Sequence, residues 1–374
     1  VVFNEMKGSY SSHDSIASEF SYRLLFPDTP YMHDSGGEPE EIPGLDYSRF
    51  LDFHKKYYHP SNCRVFLYGD IETGEQLRFL QENALKMFDG RSFAAGDIDF
   101  QNDWAEPRSE RVTSPLSEEG GGEDVNGSTI AMSWKCGSTE DSLNILVFEV
   151  LSEALMGNMG APLYKAVVES GIGEDLSPVS GLDTDLREIV FSVGVRGADE
   201  ERKEKFEILI IDTLKKLSEN GISEVSLQGA LHKVEFRNRE KRGGAPFGLR
   251  LMGRSLKGWL HGEPPENTIG FEEPMRRLKA RLADNPRYFE DLIGKWLLKN
   301  RHRMTLCIVP DKNHNRVMEE KIENEMKSIR GNFSEEDLRI EKDKAEAFWK
   351  FQETPDSPEN LSKIPSLDLD DLPK

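Results

Sequence analysis

The sequence predicts an α+β fold. Three observations carry that expectation. Long segments place apolar residues at helical spacing, as in Ile16, Ala17, Phe20 and Leu24. Short β-rich runs such as 129–136, 189–195 and 304–309 read as strands. Strands and helices then alternate without the regularity of βαβ units, which argues against a parallel α/β sheet. With 374 residues the chain exceeds one typical core, and a prior of roughly 100–200 residues per domain predicts two.

Taken in order, a helix is predicted over 2–8 and a second over 14–26, stopped by Pro27. The run His33-Asp34-Ser35-Gly36-Gly37 reads as a turn. A helix over 47–58, a strand over 64–68 and a helix over 72–88 follow. A lone strand cannot satisfy its ladder hydrogen bonds, so the partners of 64–68 are expected outside this sequence and the first domain, 1–100, is expected to be truncated. Residues 101–128 lack periodicity and contain Pro107, Pro115 and the run Glu118-Glu119-Gly120-Gly121-Gly122-Glu123-Asp124, so they read as a linker.

A second domain is expected over 129–332. Strand 129–136 leads to a helix capped by Thr139, with Leu143, Leu146, Val147, Val150 and Leu151 on one stripe. Strand 189–195 leads to a helix capped by Asp199 that closes at Asn220-Gly221. Helices over 223–239, 247–260, 272–283 and 286–298 precede strand 304–309. The pattern of 53–70, helix, polar break, β-rich run and Asp, echoes 293–311 and hints at two related domains. Residues 333–374 combine a charged helix-prone segment with Pro355, Pro358, Pro365 and Pro373, as an interdomain connection would.

Composition narrows the function. No stretch approaches the ~20 apolar residues of a membrane-spanning helix, so no membrane partner is expected. Forty-eight Lys and Arg against 68 Asp and Glu leave a net charge of −20, which repels a phosphate backbone and argues against nucleic acid. Cys63, Cys136 and Cys307 form no Cys-x-x-Cys pair, and the last two sit in apolar runs, as expected for buried reduced thiols. The opening Val1-Val2-Phe3, without Met or leader, reads as the interior of a longer protein.

No complete active site can be assembled from the residues alone. The histidines are His13, His33, His54, His59, His232, His261, His302 and His314, and neither His-Glu-x-x-His nor His-x-x-Glu-His occurs. His54 and His59 are five apart, on different helix faces, and His59 precedes Pro60, so a capping or surface role outweighs a metal role. No Gly-x-Ser-x-Gly elbow, Walker loop or dinucleotide fingerprint is present.

Several stretches together nevertheless resemble one family. They are Val1-Val2-Phe3-Asn4-Glu5-Met6-Lys7-Gly8, Asp34-Ser35-Gly36-Gly37-Glu38-Pro39 and Tyr57-Tyr58-His59-Pro60-Ser61-Asn62-Cys63-Arg64. Further along come Ala161-Pro162-Leu163-Tyr164-Lys165, Glu169-Ser170-Gly171-Ile172-Gly173-Glu174, Gln352-Glu353-Thr354-Pro355-Asp356-Ser357-Pro358 and Ile364-Pro365-Ser366-Leu367. In this order they look like the presequence-protease branch of the pitrilysin-type zinc metallopeptidases. The resemblance implies related α+β domains paired into a clamshell, its halves joined by a helical hairpin around a peptide-sized chamber. In such enzymes the two His of His-x-x-Glu-His and a downstream Glu bind zinc, and the motif Glu is the general base. Glu5 matches the downstream ligand; both His ligands, the base and the opposing half are missing.

The resemblance therefore implies a Zn2+ cofactor for the parent protein and unfolded or presequence peptides as substrates. The remainder of the same polypeptide would be the structural partner, in the mitochondrial matrix or a plastid. The chain alone is expected to be inactive. The competing expectations are a noncatalytic scaffold of the same fold and a peptide-binding module that adds a strand to an exposed sheet edge.

Overall fold

The computed structural model describes residues 2–88, 98–116, 127–241 and 246–366. It forms two units, Val1–His314 and Asn315–Lys374. The larger opens with helices α1 (Val2–Ser9), α2 (His13–Leu25), α3 (Tyr47–Tyr57) and α4 (Thr73–Asn83). Strands β1 (Arg108–Pro115) and β2 (Ser128–Ser138), helices α5 (Ser142–Met156) and α6 (Pro162–Glu169), and strands β3 (Asp175–Leu176), β4 (Gly181–Asp183) and β5 (Glu188–Ala198) follow. Then come α7 (Lys203–Asn220), α8 (Glu224–Arg239), α9 (Phe247–Trp259), α10 (Glu266–Ile269), α11 (Glu272–Asp284), α12 (Tyr288–Leu292) with a π-helical turn Ile293–Leu298, and β6 (Arg303–Asp311). Helix α13 (His314–Gly331) opens the smaller unit, which also holds α14 (Glu335–Glu353) and α15 (Pro358–Leu361).

The strands make one sheet in the order β1-β6-β2-β5-β3, with β4 also on β5. Only β1 and β6 are parallel among the described pairs; every other pair is antiparallel. This is the α+β arrangement that the sequence predicts. Alternation along the strands loads both faces. Ile189, Phe191, Val193, Val195 and Cys307 join Leu143, Leu151, Phe206, Leu214 and Phe289 in the main core under α5–α8 and α11–α12. Val190, Met304, Leu306 and Ile308 point the other way and are covered by Ile16, Ala17, Leu25 and Phe26 around α2. Cys136 and Cys307 are buried free thiols, and burial pushes the Cys307 thiol up to about 11.

This packing differs from the expected boundaries. The linker expected over 101–128 is in part a structural element: Arg108–Pro115 is a sheet strand in register with Met304–Asp311, and Gln101 and Trp104 are buried. Burial rises toward the Ser114-Pro115 end while charged Arg108, Glu110 and Arg111 stay exposed and mark an edge strand, a pattern without clean alternation. The acidic glycine run at 118–124 lies outside the described residues. Residues 1–100 and 129–332 do not separate, because α2 supplies the cover of one sheet face. The tail unit begins at Asn315, not 333. Thr139 is no cap: its buried hydroxyl donates to the Leu186 and Arg187 carbonyls, and Asp141 caps α5 by accepting from Leu143 N. The expected helix over 72–88 stops at Asn83 and resumes as a single 3-10 turn, Leu85–Met87.

The expected strand at 64–68 has no ladder partner among the described residues, and Val65, Leu67 and Tyr68 are exposed. Helices α3 and α4 bury no residue, and Phe50, Phe53, Leu77 and Phe79 are well exposed.

Three polar contacts pin α2 and the segment after it to the sheet. His13 bonds Ser114 Oγ through Nδ1 (2.7 Å) and Thr129 Oγ1 through Nε2 (2.9 Å). The Tyr22 hydroxyl donates to Asp183 Oδ2 at 2.5 Å. His302, itself 1% exposed, donates Nε2–H to the Leu25 carbonyl at 2.9 Å and stacks on Trp104, which in turn lies under Arg108. With Nε2 donating, Nδ1 is the bare acceptor and has no partner, so a second proton would create an unsatisfied buried cation. Burial accordingly pulls the His302 imidazole down to about 4, against a smaller upward pull from the Leu25 bond. Burial lowers His13 as well. Because the unfolded chain binds more protons than the folded one between those values, stability is fully present above the unfolded pKa of about 6.5 and is lost as pH falls toward 4. Urea midpoints should fall as the pH is lowered from about 7 to about 5, and His302→Gln should flatten that dependence by removing up to about one proton of uptake. An unchanged pH slope in that variant would mean that His302 does not carry the effect.

Candidate functional site

Glu5 lies in α1, solvent-exposed. The helix is positioned by the turn that the sequence marks with Asp34 and two glycines. Gly37 N–H donates to the Asp34 carbonyl (3.1 Å) and Gly36 N–H to Asp34 Oδ1 (2.8 Å). Gly37 has φ +88°, where a Cβ would be strained. A Cβ on Gly36 would stand 2.2 Å from Met6 Sδ, the flexible end of that side chain, so the turn meets α1 one residue from Glu5 with Met6 packed over the bare glycine. Arg23 pairs with Glu38 and closes the far side of the turn.

Beside α1 is a cavity of about 550 Å³ whose lining includes Met6, Tyr10, Asp14, Glu19, Tyr22 and Asp34. The carboxylates of Asp14, Glu19 and Asp34 make its potential negative. Burial, then Asp34, raises the Glu19 carboxyl against the opposing pull of Arg23. Burial and the nearby Glu38, Asp34 and Glu19 push the Tyr10 phenol upward. A cationic side chain would relieve both. Sequence reasoning missed Glu19; the signal was the polar stripe Ser15, Ser18, Glu19 and Tyr22 at helical spacing on α2.

His54 and His59 take the capping and surface roles expected of them. The His59 ring Nδ1 accepts from Ser61 N at 3.2 Å, capping the turn Pro60–Asn62, and its ring meets Phe88 edge-on. His54 stacks on Tyr58. Among the described residues no three His, Cys, Asp or Glu side chains converge on a point that could hold a metal. A mononuclear zinc needs about three protein ligands, so the donor set of this chain alone, one exposed carboxylate, does not fit the ion. Likewise no helix among the described residues is long and apolar enough to cross a membrane.

Residues 44–234, just over half the chain, match the family model described as "Peptidase M16 inactive domain", and residues 308–374 match the model of a region associated with a subfamily of the same peptidases. Presequence protease 1, chloroplastic/mitochondrial, from Arabidopsis thaliana is 36% identical over 379 residues, covering 100% of this chain and 35% of that protein. Protein HypA of Clostridium perfringens is 35% identical over 376 residues, covering 100% and 38%. The chain thus spans little more than a third of the length of these curated relatives. In fold it is similar to a protease from Helicobacter pylori, with a TM-score of 0.63 at 16% identity over 83% of this chain and 70% of the other. With one family model matched over half of the chain and a second matched behind it in chain order, this chain belongs to the M16 peptidase family.

Proposed function

We propose that the chain is part of a zinc-dependent oligopeptidase that degrades unfolded peptides such as cleaved targeting presequences. The observation that carries the reading is the exposed Glu5 carboxylate on α1, held by the Gly36–Met6 contact beside a cavity lined with acids. In this reading Glu5 is one zinc ligand, and the two histidines and the general base come from sequence outside this chain. The chain alone is then inactive. The negative cavity favours the Arg and Lys side chains of presequences, and the names of the similar presequence proteases suggest a mitochondrial or plastid setting. The exposed apolar residues of α3, α4 and 64–68 call for a covering segment and strand partners, which the remainder of the polypeptide would provide.

A second reading has its own support, since the segment 44–234 matches a model described as inactive: the protein would be a noncatalytic, peptide-binding member of the family. One experiment separates the two. In the longer polypeptide carrying this chain, Glu5→Gln is expected to lower zinc content and peptide cleavage together, by roughly 10-fold or more, since a ligand is lost. If the longer protein binds no zinc and cuts no peptide, the noncatalytic reading replaces this one.

A further inference from the structure

Far from α1 in the sequence, α9 carries Arg250, Arg254 and Lys257 at i, i+4 and i+7, one face of the helix. Arg237 at the end of α8 joins them around a cavity of about 270 Å³. Only Glu149 and Glu240 supply opposite charge in that lining, so the cavity is net positive in a protein of net charge −20. Like charges one turn apart oppose helix formation, and the cations are poorly compensated. Lys257 reaches Glu149 at 3.4 Å and Arg237 reaches Glu153 at 3.8 Å, both long for ion pairs. Arg250 and Arg254 each donate Nη2 to a backbone carbonyl, those of Glu240 and Ile269, not to a carboxylate. Arg250 Nε is buried without any partner. Burial pulls the Arg254 guanidinium below its ordinary value against the opposing pull of Glu149 and Glu272, with Arg250 adding a smaller push in the same direction as burial.

The cavity shares Glu149, Arg237 and Lys257 with a neighbour of about 440 Å³. That neighbour runs along β3 and β4 and is lined by Met156, Tyr164, Leu176, Pro178 and Leu182 together with Glu153 and several hydroxyls. A guanidinium fork matches a planar two-oxygen anion, and the apolar residues within the adjoining mixed lining match a side chain next to it. We propose that this groove binds the carboxyl terminus of a peptide, with Arg250, Arg237 and Lys257 on the carboxylate and the terminal apolar side chain in the neighbouring cavity. The site is independent of Glu5 and of any metal, so it stands or falls separately from the peptidase reading.

The test is calorimetric titration of the full chain with a short peptide ending in Leu as the free acid, the same peptide as the C-terminal amide, and inorganic phosphate. The acid is expected to bind about 10-fold or more tightly than the amide, as a charge-assisted pair requires, and added salt should weaken it. Arg250→Gln should erase the acid-over-amide preference. Arg237→Gln, a change at a half-exposed side chain, should do the same to a smaller degree with the circular dichroism spectrum and melting unchanged. Equal binding of acid and amide would overturn the proposal. So would phosphate binding as tight as the peptide acid, which would mark a simple anion site.

Discussion

Replacing Lys135 with Met should destabilise the larger unit by about 3–5 kcal/mol, the cost of orphaning a buried partner. Lys135 lies in the middle sheet strand β2 with its side chain only 8% exposed. Its ammonium donates to the Gln101 carbonyl at 2.7 Å and pairs with Glu188 Oε1 at 3.0 Å and Asp103 Oδ1 at 2.8 Å. The two acids are not equivalent. Asp103 is 87% exposed, so water screens its loss even though the Lys135 hydrogen bond holds its carboxyl below the usual range. The Glu188 side chain is 6% exposed, and without Lys135 its remaining help is the Gln101 N–H at 2.8 Å. The uncompensated Glu188 charge therefore dominates the cost. Adding Glu188→Leu to Lys135→Met should recover most of the stability, because an apolar pair can replace a buried ion pair at little cost. Urea unfolding of the wild type, the single and the double variant decides this; a single variant within about 1 kcal/mol of wild type would mean that water reaches Glu188.

Trp134→Ala should be comparably damaging, about 3–5 kcal/mol, in the range of large aromatic truncations. The side chain is fully buried, its ring centroid 6.1 Å from that of Phe191. Its indole N–H donates to the Leu297 carbonyl at 2.9 Å. That carbonyl belongs to the π-helical turn Ile293–Leu298, whose wide winding, with Lys299 N–H bonding back to Gly294, presents Leu297 to the sheet. Truncation removes the packing and the bond at once. Trp134→Phe separates them: it keeps most of the apolar volume and strands the carbonyl, for about 1–3 kcal/mol. Thermal melts of the two variants should rank Ala below Phe below wild type. If Phe falls as far as Ala, the hydrogen bond and not the ring volume is what Trp134 supplies.

Helices and central strands were legible in the sequence because their signals are local. The apolar stripe of α5, the Asp199 turn before α7, the runs that became β2, β5 and β6, and the Gly36-Gly37 turn each follow from the period or φ requirement of a few neighbouring residues. The same is true of the capping role of His59, since Pro60 dictates the turn that its ring closes. Glu5 could be singled out only by resemblance, for a short helix with one carboxylate has no signature of its own. Tertiary structure decided everything that depends on pairing across the chain. Strand β1 was invisible because its charged edge face breaks alternation and its register comes from β6, a strand remote in the sequence. The place of α2 on the sheet rests on Met304, Leu306 and Ile308, and that of Lys135 on Glu188 and Gln101. The cationic groove needed α5, α8 and α9 brought together. Local chemistry determines which element a segment can become; burial of one element's face by another decides which of its charged and polar groups end up paired, exposed or left wanting a ligand.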